Sequence, residues 1–287
     1  MGPLRLISYV DRLREACARK GNGPLAITVV FAVLVVCAVC LAAVAGLELV
    51  QRLVPSEKRQ EHNDVAGFLY AVLGVVYAVL LALVVIAVWQ QYQRARETAE
   101  SEANAVAEIA LLAHRLPEPE HHQLQEDARS YAREVVDQEW PLMAQRAEQE
   151  RGTPEGWDLV DDMRANLQEA EPGTEAQQAL YAQGLNQLQR LGDARRMRLV
   201  QANETMPGIL WAVLVFGGVV TVGFTYLFGL QNTWAHRLMV VSLTAVIALI
   251  IFTIWVMEHP FSGGARLEPS AFELVLERFE TSQLSDL

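Results

Sequence analysis

Cys37 and Cys40 stand at the CxxC spacing that supports redox chemistry or metal binding when it lies in a water-accessible loop. Here the pair sits inside an unbroken apolar run, where thiols act as small packing groups. His114, Glu118, His121 and His122 could be drawn as a metal site. Adjacent histidines in a Pro-rich acidic loop rarely converge on one ion, so no metal is expected. The abundant carboxylates are assigned to solvated helical faces, with no apolar pocket to shift their pKa values. No GxSxG, HExxH, Walker phosphate loop or dinucleotide glycine fingerprint occurs. Neither an enzyme nor a cofactor is expected. The chemistry left is passive: side chains that line, narrow or charge a path for ions.

The segment best patterned for that work is Val65–Trp89. Gly67, Ala71, Gly74, Ala78 and Ala82 draw a stripe of small residues down one helical face, with Tyr70 and Tyr77 beside it. Such stripes let helices pack closely, or they leave room for a conduit in which tyrosines form constrictions. Both hold if copies of this helix gather about an axis. Tyr70, Gly74, Tyr77, Leu81 and Val84 are the expected lining. Glu61, Asn63 and Asp64 stand at the outer entrance, where with His62 they either attract cations or cap the helix.

Four uncharged apolar runs position these residues: Leu25–Leu47, Val65–Trp89, Pro207–Leu230 and Leu238–Met257. Each reaches the roughly 20 residues that a helix needs to cross a bilayer. A backbone in hydrocarbon must satisfy its own hydrogen bonds, so these are transmembrane helices and the lipid bilayer is the first partner. Gly218, Thr221, Thr225 and Gly229 form a second small stripe in the third run, and residues Gln231–Ala235 connect it to the fourth as a hairpin. No charged residue lies mid-span, which argues against proton-coupled transporters and voltage sensors.

Lys and Arg concentrate before span one (Arg5, Arg12, Arg14, Arg19, Lys20) and on both flanks of the segment between spans two and three. The positive-inside bias therefore places both termini and that insert in the cytoplasm. Residues 90–206 carry 22 Asp and Glu against 12 Lys and Arg, which accounts for most of the net charge of −11. An acidic surface repels nucleic acid and gathers cations. The expected organisation is all-α: residues 1–24 an interfacial helix, 25–90 spans one and two, 91–206 an acidic helical domain, 207–258 spans three and four, and 259–287 a turn and amphipathic helix. Within the insert, helices are expected over 92–116, continuing span two, and over 120–150 with a bend at Pro141, 155–170 and 174–204.

Several segments in order carry a resemblance: Glu61–Phe68 into Val76–Ala82 and Val88-Trp89; Glu139-Trp140-Pro141; Arg195 and Arg198; Pro207 with Trp211; and Glu258-His259 followed by Pro260-Phe261-Ser262-Gly263. Together they resemble the bacterial bestrophin-like membrane family, which commonly has Asp-Arg before the Pro-Phe-Ser-Gly. The resemblance implies four spans, cytoplasmic ends and a pore formed by span two in a homo-oligomer, with a pentamer favoured. It also implies a multi-pass protein of the bacterial inner membrane. No counterpart of the acidic calcium-binding segment of bestrophins occurs, so calcium gating and anion selectivity are not carried over. The expected function is an ion channel with inorganic ions as its cargo, cation-preferring through the acidic insert. The alternative is a non-conducting scaffold whose acidic bundle binds a partner.

Overall fold

The computed structural model describes residues 23–54, 59, 63–116, 120–145, 152–169, 173–230 and 232–285. The amino-terminal segment expected as an interfacial helix, with Cys17, lies almost wholly outside these residues, as do Glu61 and His62. All regular elements among the described residues are helical: α1 (Gly23–Leu53), α2 (Asn63–Ala113), α3 (Glu120–Glu134), a π-helical turn (Val135–Glu139), α4 (Trp140–Ala144), α5 (Pro154–Glu169), α6 (Glu175–Asn203), α7 (Gly208–Thr225), α8 (Thr233–Met257) and α9 (Ser270–Ser285). Four of them, α1, α2, α7 and α8, are long and apolar enough to cross a membrane.

The chain divides into two compact units. The first takes the residues up to Gln90 with Thr205–Glu258 and Gly263–Ala265; the second takes Gln91–Glu204, His259–Ser262 and the residues from Arg266 onward. Helix α2 is a single run of 51 residues that contributes to both.

In the first unit α8 packs on α1 and α7. Outward faces of the spans carry large apolar residues such as Val29, Val33, Leu41, Val215 and Leu249 in the open, as bilayer-facing helices do. Cys40 contributes its thiol to the carbonyl oxygen of Val241 on α8, and Cys37 is exposed. Helix α7 ends at Thr225, five residues before the expected Leu230. The reason is tertiary. Arg59 donates to the carbonyl oxygens of Tyr226 (3.0 Å) and Phe228 (3.3 Å). Asn63 donates to the carbonyl oxygen of Gly229 and accepts from its N–H, each at 3.0 Å. These side chains take over carbonyls that a helix end leaves without partners. The connection to α8 therefore begins earlier than the apolar run implies. Asn232 then caps α8 by accepting from the N–H groups of Trp234 and Ala235.

In the second unit the core gathers the seam Ala99, Ala103, Val106 and Ala113 of α2 with Tyr131 of α3, Leu188 and Leu191 of α6, and Phe272 of α9. Thr174 and Gln177 close a capping box on α6. At Pro141, where a bend is expected, the helix changes its winding. Proline has no N–H to continue the helical ladder and its ring crowds the preceding turn. The chain accommodates it with the π-turn, in which the N–H of Trp140 reaches back five residues to the carbonyl oxygen of Val135.

Candidate functional site

On α2 the expected lining separates into two faces. Tyr77, Leu81 and Val84, with Val88, are buried against Leu214 of α7 and Ile247 and Ile254 of α8. Tyr77 donates to the carbonyl oxygen of Leu214 at 2.9 Å, over the glycine pair Gly217-Gly218. Tyr70 stacks on Phe224 and meets Phe228 edge-on, with ring centroids 5.8 and 5.7 Å apart. Tyr70, Tyr77, Leu81 and Val84, expected as lining, thus have packing partners within this chain. Gly74 stands at the border of the packed face, and a Cβ on it, or on Gly67, would meet nothing within 4 Å. The side directly opposite is Phe68, Val72, Val75, Val79 and Ile86, spaced 4, 3, 4 and 7 residues apart and between 52% and 73% exposed. With 3.6 residues per turn these form one stripe. Of the entrance residues, Asn63 is committed to Gly229 and Asp64 is exposed in the first turn of α2.

The inner motif residues fall into two groups. In the first unit Glu258 is buried and accepts from the N–H of Met206 (2.8 Å) and from the indole N–H of Trp211 (3.2 Å). It thus binds the amino-terminal approach to α7, where Pro207 caps the helix and the helix dipole favours an anion. Gly263 has a φ of +94°, the left-handed turn that ends the Pro260-Phe261-Ser262-Gly263 motif and that glycine adopts without strain.

In the second unit Glu139, Arg195 and Arg198 converge on a fourth charge, Glu102. All four side chains are at most 2% exposed. Arg195 clamps Glu139 with two bonds, 2.5 and 2.9 Å. Arg198 bridges Glu139 (2.6 Å) and Glu102 (2.6 and 2.9 Å). Tyr131 donates to Glu102 at 2.5 Å and accepts from Arg195 at 3.3 Å. Thr153 donates to Glu139 through both its N–H and its hydroxyl. Two cations and two anions cancel, and the multiple hydrogen bonds offset the desolvation that buried charges suffer. Burial pushes the Glu139 carboxyl up, but Arg198 and Arg195 outweigh it and hold the group below its usual value. Burial, reinforced by the Glu102 charge, drives the Tyr131 phenol well above its ordinary value.

Glycine and aromatic residues shape this box. Gly152, at φ +72°, brings the backbone so close that a Cβ would lie 2.8 Å from Glu139 Oε1, and a Cβ on Gly156 would collide with the Arg195 guanidinium. Trp157 lies 4.8 Å beneath Arg195 and Trp140 lies 5.7 Å from Arg198. Trp140 in turn donates to the carbonyl oxygen of Leu267 and packs edge-on against Phe261. Glu139, Trp140, Arg195, Arg198 and Phe261, far apart in sequence, are therefore one structural cluster. Glu102, Tyr131, Thr153 and Trp157 complete it and carry no motif. The expectation that the carboxylates are all solvated fails at Glu102 and Glu139. The available signal was position: Glu102 lies between Ala99, Ala103 and Val106, on the buried seam. Among the described residues no three His, Cys, Asp or Glu side chains come together as metal ligands would.

The bestrophin-like domain family matches residues 37–272, and the chain belongs to that family. No curated protein matches it in sequence. Among solved structures it is similar to a bacterial bestrophin homologue from Klebsiella pneumoniae. One form of that homologue, a point mutant, has a TM-score of 0.62 at 13% identity, over 86% of this chain and 98% of that one. Another, solved by zinc phasing, has a TM-score of 0.60 at 15% identity, over 88% and 96%. A structure described only as a membrane protein with a single substitution to alanine gives 0.61 at 14% identity, over 86% and 96%.

Proposed function

We propose that this chain is the subunit of a bestrophin-like ion channel in which α2 helices from several copies, most simply five, surround the pathway. The observation that carries the reading is the open stripe Phe68, Val72, Val75, Val79 and Ile86, directly opposite the face that α2 packs inside its own protomer. A stripe turned to the axis makes an apolar conduit that gates by dewetting, with no charged residue required. Gly67 and Gly74 lie between the stripe and the packed face, where their empty Cβ positions admit a neighbouring helix. Membership of the bestrophin-like family supports the same arrangement.

The Lys and Arg distribution favours an inner-membrane protein with both termini and the acidic insert on the cytoplasmic side. Excess carboxylates over residues 90–206 favour cations at the mouth, over a range limited to about 8–10 Å by screening. The test is ion flux from liposomes holding the purified protein, together with particle images along the membrane normal. Ring-shaped oligomers that conduct support the channel. Folded protein that conducts nothing, or that stays a single subunit, supports the scaffold and overturns the channel.

A further inference from the structure

In the second unit α2, α3 and α9 line a cleft of about 580 Å³. That is the size of a small-molecule site. Its lining is apolar in the middle. Ala107 and Ala110 of α2 are small enough to leave the space, and Val275 and Phe279 of α9, 7% and 5% exposed, bound it on the other side. Gln125 of α3 and His114 of α2, whose side-chain nitrogens lie 3.5 Å apart, add hydrogen-bonding groups to the same lining.

Two opposite charges also line the cleft, Glu108 on α2 and Arg278 on α9. Neither has an ion-pair partner among the described residues. Sequence spacing gives the reason. Three and four residues from Glu108 stand Asn104, Ala105, Leu111 and Leu112, so its own helix supplies no countercharge. The same positions around Arg278 hold Leu274, Val275, Thr281 and Ser282. Exposed arginines elsewhere in this unit are matched locally: Arg96 to Glu100 at 2.8 Å, Arg196 to Asp193 at 3.0 Å and Arg266 to Glu268 at 3.1 Å. The cleft thus offers one unpaired anion, one unpaired cation and an apolar surface in a single space.

We propose that this cleft binds a small zwitterion with an apolar body, of the class of hydrophobic amino acids. Arg278 holds the carboxylate, Glu108 holds the ammonium group, and the side chain lies on the Ala107, Ala110, Val275 and Phe279 surface. Charge complementarity selects this class. A simple anion would meet the Glu108 carboxylate, and a simple amine would meet the Arg278 guanidinium. A hydrocarbon would desolvate both charges and pair neither. Only a ligand carrying both signs satisfies both side chains, through charge-assisted hydrogen bonds.

The experiment is calorimetric titration of the full-length protein in detergent with three probes of one shape: L-phenylalanine, phenethylamine, which lacks the carboxylate, and 3-phenylpropanoate, which lacks the ammonium group. The expected result is saturable binding of L-phenylalanine, with each single-charge probe at least about tenfold weaker, the scale of one hydrogen bond to a charged group. Arg278→Gln weakens L-phenylalanine about tenfold and leaves phenethylamine no weaker; Glu108→Gln weakens L-phenylalanine alike and leaves 3-phenylpropanoate no weaker. Loss of fold cannot produce this crossed pattern, because it would weaken every probe. Ala107→Trp fills the cleft and abolishes binding of all three. Absence of saturable binding by L-phenylalanine, as when a second copy covers the cleft, overturns the site, and so does binding that survives Ala107→Trp. Equal affinity for the three probes makes the cleft a general apolar pocket and overturns recognition of the zwitterion.

Discussion

A Cβ placed on Gly217 would lie 2.6 Å from Cε2 of Tyr77, so the ring of one residue occupies the side-chain volume that the other lacks. Substituting Gly217→Ala forces Tyr77 out of its seat and lowers the melting temperature. Tyr77→Ala lowers it as well, by emptying the seat. The double variant melts higher than the sum of the two losses predicts, because without the ring the added methyl group meets no clash. Additive losses in detergent-solubilised melting would show that the two residues do not share this space.

In the proposed channel the two faces of α2 separate packing from conduction. Val79→Ala leaves the melting temperature within a few degrees of the parent and changes liposome flux, since its side chain is open within the protomer. Tyr77→Phe removes one hydrogen bond in the membrane, about 0.6 kcal/mol, and leaves flux intact in folded protein. The reverse pattern would return the lining to the Tyr77 face.

Arg198 holds Glu102 and Glu139 together, and neither carboxylate can be lost cheaply. Glu102→Ala and Glu139→Ala each destabilise by about 3–5 kcal/mol, the usual cost of leaving a buried charge without its partner. The double variant costs more than their sum, because each single loss leaves Arg198 one carboxylate and the double leaves two buried guanidinium groups with none. Denaturant melts of the three variants measure this.

The cluster also sets the pH range of stability. Glu139 keeps a carboxyl pKa below the unfolded value of about 4.3. Its stabilisation is therefore present above that pH and is lost as pH falls through the lower folded value, because the unfolded chain takes up its proton first. Tyr131 works in the opposite direction. Its folded pKa lies well above the unfolded value of about 10, so stability falls once pH passes that value and the unfolded phenol ionises. Tyr131→Phe removes the alkaline fall and keeps the acid one. Melting temperature against pH resolves both limbs.

Arg59 and Asn63 end α7 from a distance of more than 160 residues along the chain. Asn63→Ala leaves the N–H of Gly229 without this acceptor, and Arg59→Ala removes two donors from the carbonyls. Each costs about 1–3 kcal/mol and speeds amide hydrogen exchange over residues 226–230. Unchanged exchange there would mean that solvent already serves these groups.

The four spans were legible because each is an uncharged run of membrane length, a requirement met locally. The end of α7 was not, since it depends on Asn63, the first residue of α2, and Arg59, just before it, reaching it from far along the chain. The motif residues Glu139, Arg195 and Arg198 were visible as a pattern, yet their joint burial was hidden: each looks like a solvated charge until Glu102 and Tyr131 close the network. The seat of Tyr77 was hidden because the glycines that receive it, Gly217 and Gly218, lie far along the chain in another span.

The π-turn stores one residue more than an α-helical turn in the segment before Pro141. Removing Asp137 would let the bond from the Trp140 N–H to the Val135 carbonyl close as an ordinary four-residue turn, so Glu139 keeps its direction toward both guanidinium groups. Adding a residue there has no such outlet and would swing Glu139 about 100° around the axis, so an insertion should be harsher than a deletion at the same point.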